Sequence, residues 1–141
     1  ANNNQIYKHD SIKTGFARGK DWLSDQADLQ KGIDLTIDGD IFLLSDDGKI
    51  SKFTNGESRT FSVQGALPPL SSGNAIWTYT DMNYLYVLDS ANQRIVILEK
   101  NGLFKKQITA DEFTVPQDMV IDELKGVAYV LDNNKVYQIN L

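Results

Sequence analysis

The chain has 141 residues, 41% hydrophobic and 23% charged, with no cysteine, a single histidine (His9) and a net charge of −5. That length suits one domain with a sizeable core, and the missing cysteine excludes a disulfide framework, a thiolate metal site and a cysteine nucleophile. The acidic balance argues against nucleic acid as a partner, and no apolar run approaches the roughly 20 residues of a membrane-spanning helix.

In chain order, the sequence opens on Ala1 with no signal-peptide pattern, and so reads as a processed product or an excised piece. The first apolar run is Gln5-Ile6-Tyr7-Lys8-His9. The best helical stretch is Lys20 to Gln30, where Ser24, Asp25 and Asp28 can cap a short turn, and a loop fits it equally well. Three β-type runs follow: Leu35-Thr36-Ile37-Asp38, Ile41 to Ser45 and Lys49 to Phe53. A connector over 64–73 carries Pro68-Pro69, which stiffens it. Four strands are expected near 74–80, 84–89, 94–99 and 104–109, the last with adjacent Lys105 and Lys106 as befits a sheet edge. The chain closes with Met119 to Asp122, Ala128 to Asp132 and Lys135 to Ile139. Asp38-Gly39, Asp47-Gly48, Asn55-Gly56 and Asn101-Gly102 supply the positive-φ positions of tight hairpins.

These runs repeat. The central aromatics Phe42, Tyr86 and Tyr129 lie 44 and 43 residues apart, and the aspartates that end each first run, Asp38, Asp81 and Asp122, lie 43 and 41 apart. Asn3 to Lys8 resembles Asn133 to Gln138, so the chain starts inside one repeat and stops inside another. Four short antiparallel strands in each unit of about 43 residues predict an all-β chain of β-propeller blades. The units are a partial blade over 1–31, blades over 32–65 and 72–110, and a partial blade over 115–141. About three blades amount to a half-propeller or a fragment of a six-bladed ring.

The segment Leu85-Tyr86-Val87-Leu88-Asp89-Ser90-Ala91-Asn92-Gln93-Arg94-Ile95 resembles an NHL-type repeat, whose pattern Tyr-Val-x-Asp-x-x-Asn-x-Arg-Ile is met by Tyr86, Val87, Asp89, Asn92, Arg94 and Ile95. The other units depart from it, with Asp46-Asp47-Gly48-Lys49 and Asn133-Asn134-Lys135 in place of the longer turn. The resemblance implies a binding scaffold for protein or RNA, a sensor domain outside a bacterial membrane, or a metal-dependent hydrolase or lyase.

Asp89, Asn92 and Arg94 are candidates for a ligand-facing cluster at a propeller mouth. The favoured reading is structural, with Asp89 capping the turn and pairing with Arg94 to hold the hairpin loop, because Asp and Asn recur in such turns for backbone reasons. That role is worth about 1–2 kcal/mol. Trp22 and Phe113, in or beside connecting segments, are candidate interface anchors, whereas Trp77 falls in an innermost strand and reads as core. Residues 21–47 hold eight aspartates against one lysine, Lys31. The carboxylates at the two ends of the intervening strand would stand ~15–20 Å apart, too far to share one Ca²⁺. No metal or cofactor site is therefore expected. His9 aligns with Phe53, which favours a packed or edge histidine over a catalytic base.

The expected function is non-catalytic: a scaffold or sensor module for a protein or small ligand within a larger bacterial regulatory or surface protein, with an extracytoplasmic location favoured. The alternative is a lactonase-like, metal-dependent propeller enzyme. Two half-rings are expected to close one six-bladed ring as a homodimer, with Gln5 to His9 beside the partner's last blade.

Overall fold

The computed structural model describes residues 4–141. Two short ribbons come first: β1 (Tyr7–Lys8) pairs with β4 (Lys20–Asp21), and between them β2 (Ser11–Ile12) pairs with β3 (Gly15–Phe16). A four-stranded antiparallel sheet follows: β5 (Gly32–Ile37), β6 (Ile41–Ser45), β7 (Ile50–Thr54) and β8 (Glu57–Arg59). The next has the same order: β9 (Gly73–Trp77), β10 (Tyr84–Asp89), β11 (Arg94–Glu99) and β12 (Phe104–Thr109). The last sheet has three strands, β13 (Pro116–Asp122), β14 (Val127–Asp132) and β15 (Lys135–Asn140). Lys105 and Lys106 lie exposed on β12, the edge of its sheet.

One expectation needed revision. The strand expected over 74–80 ends at Trp77, because both main-chain groups of Thr78 turn to the Thr36 hydroxyl and the Met82 N–H closes a turn on the Tyr79 carbonyl. Of the two readings of Lys20 to Gln30 the loop holds, preceded by the short β4. Its donors are spent across the chain: Trp22 N–H on the Ile6 carbonyl at 2.8 Å and Ser24 N–H on the Gly56 carbonyl at 2.9 Å.

The two four-stranded blades bury both faces of their second strands, β6 and β10. Ile41 and Leu43 pack with Leu23 and Phe53, while the alternate residues Phe42 and Leu44 pack with Ile76, Leu85 and Val87 of the next blade. Tyr86 and Leu88, on the other face of β10, pack with Met119, Ile121 and Val130 of the last sheet. Burial on two faces removes the need for polar alternation, which is why these strands read as continuous apolar runs. Each such side chain contributes roughly 1.5–3 kcal/mol.

The innermost strands β5, β9 and β13 stand side by side. Each carries one extra residue at the same register: Ile33 between Gly32 and Asp34, Asn74 between Gly73 and Ala75, and Gln117 between Pro116 and Asp118. A bulge bends and twists its strand, and its recurrence makes Asp34, Ala75 and Asp118 equivalent positions. Two hairpin glycines serve a second purpose. Gly56 and Gly102 have φ of 86° and 95°, and a Cβ there would come within 2.3 Å of the Trp22 carbonyl oxygen and 2.2 Å of that of Ser62.

Candidate functional site

The structure brings Asp89, Asn92 and Arg94 together and turns them inward. Asp89 ends β10, a 3₁₀ turn spans Ser90–Asn92, and Gln93 takes a left-handed φ of 47° to reach Arg94 at the start of β11. The Arg94 Nε and a terminal nitrogen both lie 2.8 Å from Asp89 Oδ2, with the two side chains 1% and 0% exposed. The remaining guanidinium N–H groups donate to Gln107 Oε1 on β12 at 2.7 Å and to the Pro68 carbonyl of the inter-blade connector. Asn92 Nδ2 donates to Asp89 Oδ2 at 2.9 Å and to Ser71 Oγ at 3.1 Å. One arginine thus ties together β10, β12 and the connector. A buried, multiply bonded guanidinium of this kind fixes structure and offers nothing to a solvent-borne ligand.

Similar joints occupy the other polar clusters. Asp132, equivalent to Asp89, accepts the Thr114 N–H and hydroxyl at 2.7 Å each and the Val115 N–H at 3.1 Å, with Asn133 Nδ2 at 2.9 Å. Burial on its own would raise the Asp132 carboxyl, but the hydrogen bonds from Thr114, Val115 and Asn133 outweigh it and hold the group below its ordinary value. Glu123, in the hairpin after β13, accepts the Asn83 N–H at 2.9 Å, the Tyr84 N–H at 3.2 Å and the Tyr86 hydroxyl at 2.9 Å. Burial, and then the bond to Glu123, push the Tyr86 phenol up.

The other sequence candidates lie apart from this cluster. Trp22 is half-buried against Leu23 and Phe53, and Phe113 is 3% exposed in the core between the last two sheets. His9 is exposed at the β1 edge, its Nδ1 3.0 Å from the Ala17 carbonyl oxygen. Aspartates of the acidic stretch pair with separate lysines: Asp38 with Lys100 at 2.9 Å, Asp40 with Lys52 at 2.8 Å and Asp47 with Lys31 at 3.0 Å. Among the described residues, no group of three or more His, Asp or Glu side chains is placed to hold a metal ion.

An open cavity of about 380 Å³ lies on the inner strands, bordered by Asp34, Leu35, Trp77, Tyr79 and Asp118, with Thr36 and Thr78 between. On its border Leu35 is 46% exposed and Tyr79, just past β9, 41%; elsewhere on the inner strands Ile37 is 54% exposed and Val120 46%. Sequence reasoning missed this surface, although its reading of Trp77 as core holds in that the side chain packs, partly buried, against the core between the last two sheets. The signal available was the repeat alignment of Asp34 and Asp118, equivalent inner-strand positions that both carry carboxylates.

No protein-family model and no curated protein matches the chain. Among solved structures, a chain of a nidogen/laminin complex superposes with a TM-score of 0.69 at 19% identity, over 97% of this chain and 54% of that one. A chain of Kuenenia stuttgartiensis hydrazine synthase superposes with a TM-score of 0.60 at 18% identity, over 89% of this chain and 36% of that one. The fold is that of β-propeller blades. The blades described here span about half the length of the first of these structures and about a third of the second. At these identities the likeness speaks to the fold alone.

Proposed function

We propose that the chain is a non-catalytic binding module of NHL-like propeller type, part of a larger regulatory or surface protein, and that it binds through the exposed face of its inner strands. The observation that carries this reading is a division of labour among side chains. The polar side chains at the blade ends are tied into joints, with Asp89 Oδ1 buried and unpartnered, whereas Leu35 and Tyr79 stand 46% and 41% exposed on the border of an open cavity. Exposed apolar side chains on the border of a cavity mark an interaction surface. The propeller neighbours are consistent with a scaffold.

The test is a panel of lactones and esters assayed with and without Ca²⁺, run beside amide chemical-shift mapping against a mixed fragment library. The reading predicts no turnover above background and shifts gathered on β5, β9 and β13. Metal-dependent turnover would replace it with the lactonase-like alternative.

A further inference from the structure

We infer that the inner-strand cavity takes an organic cation, an alkylammonium or guanidinium no larger than a lysine or arginine side chain. This rests on the binding-module reading and names what the module binds. The cavity, about 380 Å³, is of the size that small ligands occupy. Its border combines two aromatic rings with two carboxylates and includes no lysine, arginine or histidine.

The two carboxylates have different duties. Asp34 is spent on main-chain donors, with Oδ1 2.8 Å from the Leu35 N–H and Oδ2 2.8 Å from the Ile76 N–H across the blade boundary. It lends negative potential and has little left to offer a ligand. Asp118 is exposed and uses Oδ1 on the Met119 N–H at 2.8 Å, and it makes no ion pair with any described basic side chain. Lys100, which reaches this stretch, is held by Asp38 Oδ2 at 2.9 Å and by the Tyr79 carbonyl at 3.1 Å. Its charge therefore answers Asp38, not Asp118.

The aromatic contribution comes from Tyr79, 41% exposed, and from the half-buried Trp77 at the end of β9, which packs against the core and whose indole Nε1 is buried without a partner. Ring faces attract a cation by their quadrupole, and the attraction grows as water is excluded. An uncompensated carboxylate beside two such rings favours a positive head, and the apolar flank from Leu35 suits a short alkyl stem. An anion would meet two carboxylates, and Lys100, whose ammonium reaches the Tyr79 carbonyl, is already paired with Asp38.

The experiment titrates the intact chain, labelled with ¹⁵N, with tetramethylammonium chloride, N-acetyl-lysine methylamide and N-acetyl-arginine methylamide. N-acetyl-norleucine methylamide serves as the neutral control at matched ionic strength. The cationic probes are expected to shift the Trp77 indole and Tyr79 signals and to bind at least about tenfold more tightly than norleucine. Asp118→Asn, at an exposed position, is expected to weaken them by about tenfold with an unchanged melting temperature. Tighter binding of tetramethylammonium than of the capped residues assigns the site to a free amine, and the reverse assigns it to a side chain of a protein partner. Equal binding of norleucine, an unchanged affinity in Asp118→Asn, or no shift with any cationic probe overturns the inference. The first of these leaves the binding-module reading standing, because the cavity would still bind. Turnover in the lactone and ester panel would instead remove the module reading itself.

Discussion

Thr36 and Thr78, one on each side of a blade boundary, are joined through a single hydroxyl. Thr36 Oγ1 donates to the Thr78 carbonyl and accepts the Thr78 N–H at 3.1 Å, and both residues are buried. Thr36→Val keeps the shape and leaves both main-chain groups of Thr78 without partners. It is expected to cost about 2–3 kcal/mol in urea denaturation, while Thr36→Ser stays close to the parent.

Glu123 makes the corresponding joint between the next two blades, and every group it meets there is a donor. In Glu123→Gln one acceptor becomes an NH₂ facing those donors, for an expected loss of about 1–2 kcal/mol. Tyr86→Phe removes one of the bonds and should cost about 1 kcal/mol. Because the two side chains touch, the double variant should lose less than the sum of the single losses, which a double-mutant cycle by denaturant unfolding measures.

Acid should unfold the chain through its aspartates. The hydrogen bond from Lys52, and then that from Thr54, hold Asp40 low; the hydrogen bond from Lys125 does the same for Asp122; and Asp132 is lowered as described above. Folded values lie below unfolded ones for all three. Their stabilisation is therefore complete above about pH 4 and is lost as the pH falls through the folded values. Melting temperature is expected to be nearly flat from about pH 7 to about pH 5 and to fall steeply below about pH 4. Asp132→Asn, less stable at neutral pH, should show a shallower acid limb in the same melts.

Strands, hairpins and the repeat were legible because they are local. Period-two apolar runs and Asn-Gly or Asp-Gly turns act within about ten residues, and β10, β11 and β12 fall where those signals place them. What escaped was non-local. A lone Glu123 in a hairpin carries no motif, yet it bonds to residues some 40 positions earlier. The Ser11–Ile12 and Gly15–Phe16 ribbon, inside the first unit, is too short and too exposed to leave a periodic pattern. Phe113, an interface candidate by its place in a connector, is core because the connector folds back between two sheets. The Asp89-x-x-Asn92-x-Arg94 spacing brought its residues together as read. Their pairing within the turn followed from local turn chemistry, whereas the partners that bury Arg94, the Pro68 carbonyl of the connector and Gln107 of β12, are non-local and left no pattern.

That Asp89 and Arg94 form a joint and not a ligand site is tested most directly by urea denaturation of Arg94→Met. As a turn cap the pair would be worth about 1–2 kcal/mol. The structure raises that figure, because removing the guanidinium leaves the Asp89 carboxylate, 0% exposed, without its counter-charge. The expected loss is about 3–5 kcal/mol, seen as a lower midpoint with an unchanged slope. A midpoint equal to that of the parent chain would contradict the account and return Arg94 to the list of ligand-binding residues.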